Sequence, residues 1–589
     1  VDRFFLLFAC VPSGLAADLK VQYSVELKNP EDSQFIDQVR QVSRTVQKQD
    51  DPPATTGLLR RRINADLPQM TDVLKAQGHF DARIEAHIES SKAAKPVQVV
   101  FQVRPGPMYT VHSVRITSKN QELSEKIRLP GRTELGLTPQ APAKADLIRS
   151  ARSAILSALH SQGYVLASAQ PPQVHLNSEQ NTVDLIYFVS PGPLASFGPL
   201  SIQGLERVKA DYVRDKIPWT PGERYDPEQV RNLQNSLIQT GLFNLARVEH
   251  ADQVNEQGQL PMTLQVNEVD HKQIRFRLGY ETDTGPQGSA SWEHKNLWGR
   301  GRNLLFALEA SPIRQELLGK YTQEDFTPWD LDLVLQGAVF REDIEAYTST
   351  GGRASAHVEH QIHPSLRLGG GIGYKGSRVE DSQKEQTYHQ FSLPAFATWD
   401  SRDDPLDPAQ GSTHSLHLTP MFAPLGDTFS LLKSSLGSRW YFDLLPESGR
   451  AILALRGKVG MINASSTSQV PADERWYAGG GGSVRGYPYH ELGPYEDGTP
   501  YGGRSLLETS AELRWKWTKS IGSAAFVDAG NAYESTVPDP GDKLYWGAGC
   551  GLRYYTGIGP LRLDIAFPLT SHQHIDHTYH LYISLGQAF

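Results

Sequence analysis

The chain has 589 residues and a formal net charge of -8, a length that suits several domains and a charge without the basic excess of a nucleic-acid-binding surface. Its two cysteines, Cys10 and Cys550, exclude a cysteine-based metal site by count. Beyond the first residues no run approaches the roughly 18 apolar residues of a spanning helix, so strands are the only way this chain could cross a membrane.

In chain order the first expected element is a leader. VDRFFLLFACVPSGLAADLK sets Arg3 before a short apolar run and the small residues Ser13 to Ala17 after it, the pattern of a secretory signal peptide over residues 1–16. With Cys10 removed, Cys550 stands alone and no intramolecular disulfide can form.

One phrase then recurs: LKAQGHFDARIEAHI (74–88), LHSQGYVLASAQ (159–170) and LIQTGLFNLARVE (237–249). In each an apolar helix end meets a glycine (Gly78, Gly163, Gly241) and then an alternating strand, and glycine is the residue that caps a helix in the left-handed conformation. A further strand follows each phrase, VQVVFQVRPGP (97–107), VDLIYFVSPGP (183–193) and MTLQVNEVD (262–270). The pattern predicts three tandem α+β repeats, each a strand, two helices and two strands.

From about Gln273 the helical period ends. Segments of about ten alternating residues, separated by Gly, Asp, Pro and Asn turns, take over, as in a transmembrane β-barrel. In Leu507–Trp517 the residues Leu507, Thr509, Ala511, Leu513, Trp515 and Trp517 share one face, opposite Glu508, Ser510, Glu512, Arg514 and Lys516. RAILALRGKVG (450–460) and PLRLDIAFPL (560–569) alternate likewise, the latter with Arg562 and Asp564 on the inward face. Sixteen such segments fit between 273 and 589, an even number, as closure with both ends on one side requires. The fold class is tandem α+β repeats followed by a 16-stranded antiparallel transmembrane β-barrel.

Between the eleventh and twelfth segments runs a loop, about 463–506, containing AGGGGSVRGYPYHELGP (478–494). It is far longer than a hairpin needs, and its aromatic residues need packing partners, which points to function rather than disorder. Strand alternation turns Glu508 and Glu512 inward, then Phe526, Asp528 and Gly530. It also sets Gly547, Gly549 and Gly551 against the lumen, with Cys550 toward lipid. Those glycines clear space in which Arg485 of a folded-back loop could meet Glu512 and Asp528, since a guanidinium matches carboxylates in a planar fork. On pattern alone, a solvated surface arginine fits the loop equally well.

VRGY (484–487), the acidic strand after GGR (502–504), FVDAG (526–530) and the final strand HLYISLGQAF (580–589) resemble the bacterial outer-membrane assembly and translocation barrels, the superfamily that includes BamA, TamA and the two-partner secretion transporters. The resemblance covers essentially the whole mature chain. It implies POTRA repeats at 18–108, 109–195 and 196–270, a barrel at 271–589, residence in the outer membrane of a Gram-negative cell and the repeats in the periplasm. Three repeats resemble the TamA branch, whereas the assembly barrels of the BamA type have five and the secretion transporters two. The implied function is insertion and translocation of other outer-membrane proteins of the autotransporter type, with a TamB-like inner-membrane-anchored partner, unfolded clients and the lipid bilayer as contacts; the alternative is export of one dedicated passenger. Carried over residue by residue, Val484, Arg485, Gly486 and Tyr487 form the loop latch, with Glu512 and Asp528 as lumenal acceptors and Glu508 as the fallback. Leu581, Ile583, Leu585 and Phe589 form the C-terminal strand signal, and Gly586 is placed to kink the seam where the last strand meets the first, QIRFRLGYE (273–281). The barrel is expected to be monomeric.

His572, His574, His577 and His580 resemble a metal patch, yet in a polar hairpin they are better explained as surface. GGGIGY (369–374) has no following helix and is expected to be strand. No nucleophile elbow, metalloprotease histidine pair or P-loop occurs, so neither an enzyme nor a cofactor is expected.

Overall fold

The computed structural model describes residues 20–589 except 29–32, 90–96, 119–122, 328, 426–427, 446–448, 540, 558, 577, 586 and 588–589. The leader over 1–16, His577, Gly586 and Phe589 thus lie outside the described residues.

In the first α+β unit Tyr23–Lys28 runs parallel to Val97–Arg104, which also pairs antiparallel with Arg83–Glu89. The helix Thr56–Ala76 starts where the Thr55 hydroxyl accepts the Leu58 N–H, a standard N-cap. Its buried Leu59, Ile63, Met70 and Leu74 follow the helical period and pack with Val99, Phe101 and Val103 of the sheet. Gly78 ends it at φ 101°, and the corresponding Gly163 and Gly241 are also left-handed, at 86° and 64°.

The second unit pairs Thr110–Thr117 parallel with Thr182–Ser190 under the helix Ala145–Ser161. Here the structure departs from the two expected helices: among the described residues this unit has the one α-helix, and 132–136 forms turns. Pro130, Gly131, Gly136, Pro139 and Pro142 break the helical period in that segment, while Leu135 and Leu137 still reach the core. The third unit sets Gln259–Glu268 between Ser196–Gln203 and Phe243–His250, with helices Ala210–Asp215 and Pro227–Gln239. It ends without a PGP turn because Glu268 has another task. Its carboxylate accepts the N–H groups of Glu206 and Val208 at 2.9 Å each and of Arg207 at 3.0 Å.

The barrel closes from Lys272–Glu281, the first strand, to His580–Leu585, the last. It has sixteen strands, each antiparallel to its neighbours. The eighth is interrupted: Glu385–Ser392 and Ala395–Asp400 both pair with the seventh strand, Leu366–Glu380. Pro394 stands in the break and has no N–H to give to a ladder. Alternation is strict on the twelfth strand, Ser505–Lys516. Leu513 and Trp515 are 42% and 41% exposed on the outside, whereas Glu508, Ser510, Glu512 and Arg514 are buried on the inside. An apolar exterior and a charged interior are the arrangement a bilayer selects.

Candidate functional site

The loop between the eleventh strand, Ala451–Asn463, and the twelfth folds into the barrel. Ala478 and Leu492 exchange backbone hydrogen bonds of 3.1 and 2.9 Å, closing a narrow tip. Within it Gly479 and Gly480 take φ of 100° and 99°, which only glycine adopts without strain. The Ser483 hydroxyl accepts the Gly479 N–H at 2.9 Å. Val484, Tyr487 and Leu492 are buried with Leu506, Ala532 and Tyr545 of the barrel wall. Packed on both sides, the tip projects Arg485 in one direction.

Arg485 is 2% exposed. Its Nε and Nη2 donate to the two oxygens of Asp528 at 2.7 and 3.0 Å, and Nη1 donates to Glu512 at 2.8 Å. Its backbone N–H adds a bond to Asp528 at 3.1 Å. The guanidinium also lies 3.4 Å from the Phe526 ring centroid, so one flat face is covered by an aromatic ring. Burial works against the charged form, but Asp528, Glu512 and Asp564 more than offset it and raise the Arg485 pKa. Glu508 does not join this pair; it accepts from Ser483 at 2.5 Å and from Arg456 at 3.5 Å.

Asp564 of the fifteenth strand, Gly559–Pro568, completes the cluster at 3.4 Å from Arg485 Nη1. Arg553 reaches Asp564 as well as Glu512, and Arg514 holds Glu512 at 2.8 Å. The alternation that selected Glu512 and Asp528 already turned Asp564 inward, and that was the available signal for it. The three glycines of the fourteenth strand, Tyr545–Thr556, adjoin the same cluster. A Cβ on Gly547 would collide with the Arg485 carbonyl, one on Gly549 with the Ile565 carbonyl, and one on Gly551 with the Asp564 carboxylate. The Tyr487 hydroxyl lies 2.8 and 2.7 Å from the carbonyls of Trp546 and Thr570.

A second anchor, which sequence reasoning missed, has the opposite polarity. The short turn Ala472–Glu474 sets Asp473 2.6 Å from Lys375 and 2.8 Å from the Ser349 hydroxyl. Glu474 takes Lys375 at 2.8 Å and Lys433 at 3.0 Å. Burial pushes the Glu474 carboxyl up, but the two lysines override it and hold it down at about 2. Arg475 pairs with Asp381 at 3.2 Å and stacks on Tyr501 at 4.1 Å. The loop therefore holds the sixth, seventh and tenth strands (Tyr347–His363, Leu366–Glu380, Phe429–Asp443) through its acids and the twelfth, thirteenth (Ile521–Tyr533) and fifteenth through Arg485. PADERW (471–476) showed the charges, but only the register across the barrel shows what they meet.

The seam is thin. The first strand and the second, Gly285–Leu297, pair at ten positions from Lys272 to Glu281, whereas first and last strands pair, among the described residues, at Tyr280↔Ile583 and Glu281↔Tyr582. A bond of 3.1 Å from the Thr282 N–H to the Leu581 carbonyl extends that end. Along the remaining edge Ile274, Phe276 and Leu278 are 64%, 75% and 85% exposed. Gln587, due on the outward face with Leu581, Ile583 and Leu585, instead bonds Asp407 at 2.9 Å and inward-facing Arg553 at 3.3 Å. The latch touches the few paired rungs: the Gly486 N–H donates to the Tyr582 hydroxyl at 3.2 Å, and a Cβ on Gly481 would stand 2.8 Å from the Tyr582 ring and 3.0 Å from Glu281.

His574 stacks on Tyr495 with 4.5 Å between ring centroids, His572 meets the same ring tilted at 5.0 Å, and His580 Nδ1 is 3.3 Å from the Thr282 hydroxyl. Among the described residues no group of three or more His, Cys, Asp or Glu side chains is placed to hold a metal.

Residues 296–589 match the model of the Omp85 superfamily domain, and 109–192 and 195–269 match the POTRA model, described as surface antigen variable number repeat. The outer membrane protein assembly factor BamA of Neisseria meningitidis serogroup B is 22% identical over 86% of this chain and 71% of its own length. That of Nitratidesulfovibrio vulgaris is 21% identical over 91% and 69%. Among solved structures, BamA from Haemophilus ducreyi lacking POTRA domains 1-3 superposes with a TM-score of 0.68 at 18% identity, covering 81% of this chain and all of that one. Repeats, closed sixteen-stranded barrel and family matches agree: the chain belongs to the Omp85 superfamily and is an outer-membrane β-barrel with periplasmic POTRA repeats.

Proposed function

We propose that this protein assists the insertion and translocation of other outer-membrane proteins, with the edge of its first strand as the template. The seam, which pairs at two rungs among the described residues, carries this reading. Backbone groups left unpaired in a bilayer each cost several kcal/mol, so the edge from Gln273 to Gly279, which has no strand partner on its seam side among the described residues, is a strong acceptor for an incoming strand by β-augmentation. A client strand entering there would exchange for the last strand, already drawn aside at Gln587. The loop held by Arg485 keeps the lumen filled and the surviving rungs aligned while this happens. The chain acts by templating, not as an enzyme, and no bond of the client is made or broken.

Three POTRA-like units in series support the finer assignment to the TamA type, with autotransporter-type clients and a TamB-like inner-membrane-anchored partner docking on the repeats. Depletion of the protein followed by outer-membrane proteomics tests the function. Loss of several barrel proteins is expected; loss of a single exported protein would instead identify a transporter with a dedicated passenger.

A further inference from the structure

We infer that the free edge of the first strand selects for an incoming strand that carries a carboxylate side chain at one defined rung, the rung of Arg277. The inference rests on the templating reading above and adds a specificity residue to it.

Alternation on the first strand turns Arg275 and Arg277 to the lumen and Ile274, Phe276 and Leu278 to the outside. Arg275 is already neutralised by Glu293 of the second strand, at 2.5 Å. Arg277 faces Ser289 on that strand. The next residue in the same row, Glu309, faces Ser289 from the far side and Glu316 beyond it, and Glu316 is engaged by Arg314 and Arg353. Among the described residues Arg277 is exposed and has no carboxylate within ion-pair distance. Beside it lies a cavity of about 450 Å³ lined by Gln287, Ser289, Glu309 and Ser584 among others, which is room for an added side chain.

The barrel's own C-terminal sequence offers no carboxylate for that place. From His580 to Phe589 the sequence HLYISLGQAF contains no acidic side chain. The seam register, Tyr280↔Ile583 and Glu281↔Tyr582, fixes which client residue meets Arg277: the one three positions after the residue opposite Tyr280. A glutamate there gains an opposite-charge cross-strand pair that the resident strand lacks. Exchange of resident strand for client is thereby biased forward, and a basic residue at the same rung is rejected by like-charge repulsion.

The test uses the full chain with Cys10 and Cys550 replaced by alanine and Tyr280→Cys, reconstituted in phospholipid bilayers. Three peptides copy residues 578–589 with cysteine at the position of Ile583 and glycine, glutamate or lysine at the position of Gly586. Disulfide yield is expected to be about threefold higher for the glutamate peptide than for the glycine peptide, and lowest for lysine. Arg277→Glu should invert the order, and Arg277→Gln, the milder variant, should flatten it. Equal yields for the three peptides would overturn the charge selection while leaving templating intact. Absence of any disulfide would remove the templating reading and this inference with it.

Discussion

Arg485 sits among three carboxylates, and its removal leaves Glu512, Asp528 and Asp564 with Arg514, Arg553 and Arg562 as their remaining cations. Breaking a buried pair from one side costs about 3–5 kcal/mol, because the abandoned charge stays desolvated. Arg485→Ala is therefore expected to release the loop to limited proteolysis and to lower client assembly, with heat-modifiable migration of the folded barrel retained. Arg485→Lys restores a charge without the planar fork that grips both oxygens of Asp528, and should remain protease-sensitive; full protection in either variant would contradict the latch. The loop also carries a pH response. His490 stacks on Tyr489 and Tyr477, and burial, aided by Lys458 and Arg314, pushes its imidazole from 6.5 down to about 3. A base lowered by folding contributes fully above its unfolded value and loses that contribution as pH falls from 6.5 toward 3. Glu474, an acid lowered from 4.5 to about 2, likewise contributes above 4.5 and fails only in stronger acid. Amide-exchange protection of 476–492 should thus fall in two stages on acidification. His490→Asn, which tolerates the φ of 60° there, should abolish the first stage; an unchanged profile would assign the loss to other groups.

At the scale of the element, the loop is a strut with two ionic ends of opposite sign. Half of it was legible in the sequence. Alternation on three strands faced Glu512, Asp528 and the fourteenth-strand glycines inward, and Arg485 was the cation between them. The other end was not, because Asp473 and Lys375 are brought together by closure of the barrel, which no local period encodes. The repeat pattern implies two helices in the second unit, yet Gly131, Gly136, Pro139 and Pro142 break the helical period before its one described α-helix. The second end predicts a phenotype of its own. Lys375→Met strips Asp473 of its ammonium at 2.6 Å and Glu474 of one of two, at about 3–5 kcal/mol for a buried pair. In planar bilayers this variant is expected to show longer-lived open-channel events than the parent. Unaltered conductance would mean that Arg485 and the tip packing hold the loop without help.

Across the whole molecule, the outward apolar band and inward charge follow from the period-two pattern alone, which is why the sequence itself carries a count of sixteen strands. The seam could be located but not graded: nothing in QIRFRLGYE or HLYISLGQAF says how many rungs form, since that depends on where Gln587 is drawn by Asp407 and Arg553. The most direct test is to lock that seam. In a background without Cys10 and Cys550, Tyr280→Cys with Ile583→Cys joins residues that already face each other across the seam. Client insertion into reconstituted vesicles should stop under oxidising conditions and recover when the disulfide is reduced. Insertion at the parent rate with the disulfide intact would contradict a seam that templates its clients.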